Sequence, residues 1–325
     1  MVRGGQIQTV LGKIPASDLG AVDAHTHLSR VAGPLVDSDK DFLLNNPQYA
    51  VAELQRYREA GGRAVVEVTP CGPGRGPDVL AEISEGAGIH VIAATGFVDW
   101  ALYPGALLWL EAASVEDLAT LLIDETQIGM DLNNYTAPCI RRSEFCAGVI
   151  KVAAGEQVIS PLQQKILEAS AIAHLRTGTP ITVHTEKGTL GLEIVEYLAR
   201  LGVAPNAIML AHTFLDPDPA YQHDLAQTGA YLIQDGPGRV KYFPESNTVE
   251  QIRRFVEGGF MDQLLFAGDH SKRVYWKSFD GWMGFEYILT QFVPLLHRSG
   301  IDEDVTRKML VDNAAKALHL RNLQG

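Results

Sequence analysis

The sequence of 325 residues contains only three cysteines, and no two of them form a CxxC pair. Cys71, Cys139 and Cys146 therefore indicate neither a disulfide framework nor a thiolate zinc site. No stretch reaches the roughly 18 consecutive apolar residues of a transmembrane helix, and the N-terminus lacks the apolar segment of a secretory signal. We therefore expect a cytoplasmic protein with no membrane partner.

Positive charge is also scarce, because the sequence has 27 Lys and Arg against 39 Asp and Glu, which gives a net charge of −12. Nucleic acids are bound through clustered Lys and Arg, so this balance argues against a nucleic-acid partner and favours a small-molecule substrate. The hydrophobic fraction of 46% is enough for a large core. The length is typical of one α/β barrel, so we expect a single domain over residues 1–325, with a homodimer as a compatible state.

Short apolar or β-branched runs alternate with longer segments of helical period, which is typical of repeated βα units around a parallel sheet. Eight strands are predicted: GAVDAHTHL (20–28), RAVVEVTP (63–70), HVIAATGF (90–97), AGVIKVAAG (147–155), PITVHTEKG (180–188), AIMLAHTFL (207–215), AYLIQDGPG (230–238) and QLLFAGDHS (263–271). Eight such units predict an α/β fold, a closed (β/α)8 TIM barrel. An open doubly wound sheet is the alternative, but no GxGxxG follows the first strand.

Four helices are readable between the strands, in YAVAELQRYREAG, SVEDLATLLIDETQ, PLQQKILEASAIAHLRTG and GLEIVEYLARLG. Two connections are longer than usual, residues 29–48 after the first strand and 271–283 after the eighth. Both follow the C-terminal ends of strands, where barrel enzymes carry their active sites. We therefore expect these loops to form the walls of a substrate pocket.

Polar side chains stand at the ends of several predicted strands. His25 and His27 lie two residues apart, so they point to the same side of the first strand. An HxH pair alone is a weak signal, but His184, His212 and Asp269 close the fifth, sixth and eighth strands. Any one of these could be a satisfied core residue, whereas convergence of all of them on one barrel face predicts a metal centre.

Lys151 lies inside the apolar fourth strand, where a charged ammonium group is costly to bury and the neutral amine is favoured. A neutral amine can react with carbon dioxide, and the resulting carbamate is an anionic oxygen donor that could bridge two cations. The alternative is an ordinary ion pair with Asp or Glu of a neighbouring strand.

These residues and the motifs around them resemble the phosphotriesterase-like lactonases of the amidohydrolase superfamily. The resemblance runs nearly end to end and is carried by VLGKIPASDLGAVDAHTHL, IKVAAG, TVHTEKG, MLAHTF, FAGDHSKRVYW, GFEYILTQFVPLL and MLVDNAAKAL. The ordered set of HxH, Lys, His, His and Asp on strands one, four, five, six and eight is more specific than any single motif.

The resemblance implies a binuclear metal centre at the C-terminal ends of the strands. His25, His27 and Asp269 would hold one divalent ion, His184 and His212 the other, and carboxylated Lys151 (N6-carboxylysine) would bridge both. Zinc is the first choice of metal, with manganese, cobalt or iron as alternatives. A metal-bridging hydroxide would attack the substrate, and Asp269 would accept its proton as the catalytic residue.

The run KRVYWKSFDGWMGFEYILTQFVPLL looks similar to the phosphosugar lactonase branch. Four basic residues follow strands seven and eight, where barrels often bind phosphate: Arg239, Lys241, Lys272 and Arg273. They are candidate substrate-binding residues, although solvated loop charges are equally consistent with this pattern.

Family lactonases often carry a Tyr after the third strand, where this chain has Phe97, Val98 and Trp100. His270 is also unusual, and we expect it to shape its loop.

Three functions are therefore in competition. The first is a metal-dependent lactonase acting on a sugar lactone or phosphorylated sugar lactone. The second is phosphotriesterase or carboxylesterase activity on the same centre, and the third is a non-catalytic metal-containing barrel that binds a ligand. The complete ligand set favours an enzyme over the third hypothesis.

Overall fold

The structure, a computed structural model, describes residues 5–98 and 107–321. Its main feature is a set of eight parallel strands, numbered here after a two-stranded N-terminal hairpin: β3 (Ala21–Thr26), β4 (Gly62–Glu67), β5 (His90–Thr95), β6 (Val149–Ala153), β7 (Ile181–His184), β8 (Ile208–Ala211), β9 (Tyr231–Gln234) and β10 (Leu264–Phe266). Seven of them lie inside the predicted segments, and β4 begins one residue before its segment, at Gly62.

Each strand pairs in parallel with the next one in sequence, from β3 to β10. The two ends of this series meet just beyond the strands, where the amide of Asp269 donates to the carbonyl of His25 at 2.9 Å. The amide of Gly268 donates to the carboxylate of Asp23 at 3.2 Å. The sheet therefore curls into a barrel, as expected, and the alternative of an open doubly wound sheet is excluded.

Helices lie between and after the strands, and the short α1 belongs to the loop that follows β3. The described helices are α1 (Pro34–Ser38), α2 (Pro47–Glu59), α3 (Pro77–Ala87), α4 (Trp109–Ala112), α5 (Val115–Gln127), α6 (Pro161–Thr177), α7 (Gly191–Arg200), α8 (Pro219–Gln227), α9 (Glu245–Glu257), α10 (Val293–Arg298), α11 (Glu303–Arg307) and α12 (Asn313–Leu318). The start of α6 shows how sequence fixes a boundary, because Ser160 and Gln163 cap each other's backbone amides and Pro161 opens the first turn. Gly178 ends this helix in the left-handed conformation. Among the described helices, none combines the length and the apolar composition that a membrane span requires.

The N-terminal hairpin, β1 (Gln6–Thr9) with β2 (Gly12–Pro15), was not among the predicted strands. It packs against the barrel through a backbone bond from Val10 to the carbonyl of Val91 at 2.8 Å. Its strands have only four residues each, so period-two alternation gives little signal at this length.

Alternation along β6 determines what faces the barrel interior. Ile150 and Val152 pack in a cluster with the side chains of α5 and α6, whereas Val149 packs with residues of other strands. Lys151 shares the side of Val149 and therefore points into the barrel. Gly96 permits this close packing, since a Cβ there would lie 1.9 Å from the carbonyl oxygen of Lys151.

Candidate metal centre

The six predicted metal ligands line one cavity of about 400 Å³ at the C-terminal end of the barrel. These residues are His25, His27, Lys151, His184, His212 and Asp269. His25 lies on β3, Lys151 on β6 and His184 at the end of β7. His27 and His212 directly follow β3 and β8, and Asp269 lies three residues after the end of β10. Their convergence follows from the parallel barrel, which brings the carboxyl ends of all strands to one face.

His25, His27 and Asp269 form the tightest group. One potential ligand atom from each lies within 4.8 Å of the others, and His27 Nε2 is 3.7 Å from Asp269 Oδ1. This spacing can close around a divalent ion, because two imidazoles and a carboxylate are ordinary zinc ligands.

His184 and His212 form a second pair on the neighbouring strands. Their ring centroids are 4.4 Å apart, and the ring of His212 is 5.0 Å from that of His25. Lys151 Nζ lies 3.4 Å from His25 Nε2, so the lysine stands beside the first group within the same cavity. Within residues 5–98 and 107–321 no carboxylate forms an ion pair with Lys151, which removes support for the ordinary ion-pair hypothesis.

The cavity keeps most of these groups uncharged. Burial is the main cause that lowers the pKa values of His25 and His27 well below their ordinary range, and it lowers that of His184 to about 4. Burial also lowers the pKa of Lys151 to about 7, against the opposing effect of nearby carboxylates. Neutral imidazoles have a lone pair to give to a metal, and a neutral amine can form a carbamate. The donor set therefore fits a pair of divalent ions.

His212 is held by a carboxylate that the sequence analysis did not single out. Its Nδ1 lies 2.6 Å from Asp235 Oδ2, and its backbone amide also donates to Asp235. Burial alone would lower the pKa of His212, but the attraction of Asp235 raises it. A carboxylate on one ring nitrogen orients the other toward a metal. Asp235 directly follows the apolar strand β9, which is the same signal that singled out Asp269.

His27 has an equivalent support. Its Nδ1 lies 2.8 Å from Thr69 Oγ1. Thr69 donates to Glu67 Oε1 through its hydroxyl group and to Glu67 Oε2 through its backbone amide. Glu67 is fully buried at the end of β4, and burial raises its pKa to about 7. This series of hydrogen bonds, from His27 through Thr69 to Glu67, fixes the orientation of the His27 ring.

Asp269 is fixed by Arg239. The guanidinium group lies 3.0 Å from Asp269 Oδ2, donates to the carbonyl of Gly268 at 2.8 Å and stacks over the ring of Tyr275 at 3.9 Å. Asp269 and His212 both have positive φ angles, 43° and 66°. Such conformations are costly for residues other than glycine and cluster at functional sites.

The four predicted substrate-binding cations make four different kinds of contact. Arg239 is buried against Asp269, and Lys272 pairs with Asp39 at 2.6 Å. Arg273 donates to the carbonyl of Leu43 and to Asn45, while Lys241 lies over the ring of Tyr242 at 4.6 Å. Arg239 borders a smaller pocket beside His184, and the lining of the main cavity includes none of the four. Their role in substrate binding stays a prediction.

Other positions singled out in the sequence take distinct places. Val98 lines the cavity, Phe97 is buried beside Tyr135, and Trp100 lies outside the described residues. His270 is fully buried, with Nε2 3.1 Å from the carbonyl of Gly284 and its ring stacked on Phe285 at 3.9 Å. These contacts agree with a role in shaping the loop.

The two long loops do not contribute equally to the cavity. The loop at 29–48 supplies much of the wall, including Pro34, Leu35 and Phe42, whereas the described lining from the loop at 271–283 is limited to Ser271. The second loop packs on the first through the Lys272 and Arg273 contacts described above. The prediction that these loops form the walls of the pocket therefore holds for the first loop. The second loop supports the first.

A (β/α)8 barrel with His, Lys and Asp side chains converging at its carboxyl face is the arrangement of an amidohydrolase-type enzyme. The family model described as "Phosphotriesterase family" matches residues 5–318. The phospho-furanose lactonase of Mycoplasmopsis synoviae is 33% identical over 96% of this chain and 91% of its own length.

Solved structures agree with this match. A crystal structure of an amidohydrolase from Mycoplasma synoviae superposes with a TM-score of 0.96 at 32% identity, covering 99% of this chain and 94% of that one. A lactonase from Listeria monocytogenes gives a TM-score of 0.90 at 29% identity, covering 98% and 100%. The chain belongs to the phosphotriesterase family and is a hydrolytic enzyme.

Proposed function

We propose that the protein is a binuclear metal-dependent lactonase that opens a sugar lactone, with a phosphorylated sugar lactone as the preferred substrate. The observation that carries this proposal is the convergence of His25, His27, Lys151, His184, His212 and Asp269 in one cavity. The relatives named as lactonases support an ester bond within a ring as the target.

The metal ions would be held by His25, His27 and Asp269 on one side and by His184 and His212 on the other, with carboxylated Lys151 between them. Two divalent ions, zinc in the first instance, would lower the pKa of water and polarise the lactone carbonyl. The protein needs no Ser or Cys nucleophile for this chemistry. Cys71 is unsuited to that role, because burial raises the pKa of its thiol to about 12.

Asp269 is the proposed proton acceptor. Arg239 holds its Oδ2, while Oδ1 faces His27 in the cavity. Oδ1 can therefore accept a proton from the attacking water and return it to the alkoxide released when the ring opens. Apolar side chains of the cavity wall, among them Pro34, Leu35 and Val68, exclude bulk water and strengthen the electrostatic interactions inside.

The reaction can be tested with a substrate panel and pH change as the readout. Metal-loaded protein should acidify solutions of sugar lactones and phosphorylated sugar lactones faster than solutions of carboxylic esters, and phosphotriesters should be turned over slowly. If triesters or open-chain esters are the best substrates, the metal centre stands but the lactonase assignment fails. If none of the substrates is turned over, the non-catalytic hypothesis gains support.

Replacing Asp269 by Asn should lower kcat by roughly 10² to 10⁴, the range typical of lost acid–base catalysis. The amide keeps the shape of the side chain but removes the basic oxygen. Steady-state kinetics and metal analysis should be measured together, with Asp262→Asn as the control, since Asp262 pairs with Lys308 outside the cavity. Unchanged kcat in the Asp269 variant would assign proton transfer to another group.

Lys241→Ala and Arg273→Ala should selectively weaken turnover of phosphorylated lactones if these two cations bind phosphate. Charge-assisted hydrogen bonds of roughly 1.5 to 3 kcal/mol each correspond to about a 10- to 100-fold loss in kcat/KM. The unphosphorylated lactone should barely change, so the ratio of kcat/KM for the two substrates is the observable. Equal losses on both substrates would rule out a phosphate contact at these positions.

A further inference from the structure

His270 directly follows Asp269, but the described lining of the main cavity includes Asp269 and not His270. Its imidazole ring is fully buried and stacks on the ring of Phe285, with the centroids 3.9 Å apart. A buried imidazole needs partners for its nitrogens, because otherwise the loss of their hydration is not compensated. The structure supplies one such partner on each side of the ring.

The two ring nitrogens of His270 contact two different segments of the chain. Nε2 lies 3.1 Å from the carbonyl oxygen of Gly284, which can only accept, so Nε2 carries a proton and donates the hydrogen bond. Nδ1 can then accept from the hydroxyl group of Thr26, whose Oγ1 is 3.3 Å away. The same Oγ1 accepts from the backbone amide of His270 at 3.3 Å. One imidazole therefore joins the end of β3 to the segment that follows the loop at 271–283.

Thr26 lies between two of the metal-ligand candidates, His25 and His27. Its side chain therefore points away from the cavity that both histidines line. Asp269 meets the same segment, because its backbone amide donates to the carbonyl of His25 at 2.9 Å. Residues 269 and 270 are thus bonded to successive residues of the first barrel strand, Asp269 on the side of the cavity and His270 behind it.

The backbone at Asp269 requires this support. Its φ angle of 43° is a left-handed conformation, which is costly for residues other than glycine. The carbonyl of His270 accepts from Trp276 Nε1 at 2.9 Å, which fixes the chain after Asp269. Before Asp269, Gly268 leaves room for the imidazole, since a Cβ there would lie 2.0 Å from His270 Cε1. The chain on both sides of Asp269 is therefore fitted to the His270 ring.

We propose that His270 is a positioning residue that holds Asp269 in the conformation needed to bind the metal and to accept the proton. This inference rests on the proposed function for these two roles of Asp269. Arg239 holds the carboxylate through Oδ2, whereas His270 holds the backbone behind it. Without the imidazole, the backbone can relax from its left-handed conformation and displace Oδ1 from the metal position.

Zinc binding to the metal-free protein tests the inference without any substrate. His270→Phe keeps a flat ring on Phe285 but removes both ring hydrogen bonds, so it should bind zinc about 10- to 100-fold more weakly and lower kcat by a similar factor. His270→Gln can again donate to the carbonyl of Gly284, so it should recover part of both losses. His174→Phe is the matched control, because His174 on α6 is also buried and its Nδ1 lies 2.8 Å from the carbonyl of Thr179. The control should keep native zinc affinity and kcat.

A double variant shows whether His270 acts through Asp269. When Asp269 is already Asn, His270→Phe should cause little further loss of zinc affinity or kcat, because the carboxylate that His270 positions is gone. Losses that persist in full in that background, or native zinc affinity in His270→Phe alone, overturn the inference. Circular dichroism must show that the variants fold, and His270→Gln repeats the comparison if His270→Phe does not.

The zinc measurement also separates this inference from the proposed reaction. Zinc affinity that depends on His270 in a protein that hydrolyses no ester would support the positioning role and refute the proposed reaction. Lactone turnover by a native protein whose His270→Phe variant keeps native zinc affinity would do the reverse.

Discussion

Replacing His27 by Ala should lower the bound metal content and nearly abolish lactone turnover. His27 supplies one of the few donors around the first metal position, where His25 and Asp269 are its partners. A site that loses one of its few protein ligands binds its ion far more weakly, and without the ion there is no activated water. Elemental analysis of the purified variant and its kcat on the best lactone are the two measurements.

His223→Ala is the control for this experiment. His223 lies on the outer helix α8, where its Nε2 contacts Gln227, so its loss should change neither metal content nor rate. A His27→Ala variant with full metal content and an unchanged rate would contradict the assigned ligand set. The same result with His25→Ala would extend that conclusion to the whole HxH pair.

Replacing Lys151 by Ala should inactivate the enzyme and leave the barrel folded. The side chain is 4% exposed, lies among the metal-ligand candidates and forms no ion pair with the described carboxylates. Its proposed role is to form the bridging carbamate, so a short carboxylic acid that fills the vacated space should restore part of the activity. Lys151→Arg should stay inactive, because guanidinium remains charged and cannot form a carbamate.

Carbon dioxide and pH give an independent readout of Lys151. Because burial lowers its pKa to about 7, the amine is neutral above that pH and protonated below it. Metal loading of the metal-free protein with ¹³C-bicarbonate should therefore give a carbamate NMR signal that weakens as the pH falls below 7. Lys165→Ala, on the outer helix α6, should leave this signal intact. A native protein without the signal but with full activity would exclude a bridging carbamate.

The barrel could be predicted from the sequence because each strand carries its own local signal, an apolar run that ends in a polar residue. His184, His212 and Asp269 were predictable for the same reason, since parallel strands bring such ends to one face. Lys151 was predictable as a charged side chain inside an apolar strand. The comparisons with known proteins confirm the family, and the roles of the individual ligands stay predictions. The extent of the domain, residues 1–325, also stays a prediction.

Contacts between distant segments could not be predicted in this way. The support of His212 by Asp235 and of Asp269 by Arg239 depends on packing between neighbouring strand ends. Arg239 was a candidate substrate-binding residue from its position in the sequence, and its contact with Asp269 appears only in the fold. His270 was singled out in the sequence, but the two segments that its ring joins were not predictable from it.

Removal and return of the metal is the most direct test of the central claim. Protein treated with a chelator should lose lactone turnover, and titration with zinc in the presence of bicarbonate should restore it as two ions bind per chain. Elemental analysis and a lactone assay on the same samples give both quantities. Full turnover by metal-free protein, or saturation without any return of lactone hydrolysis, would contradict a binuclear lactonase.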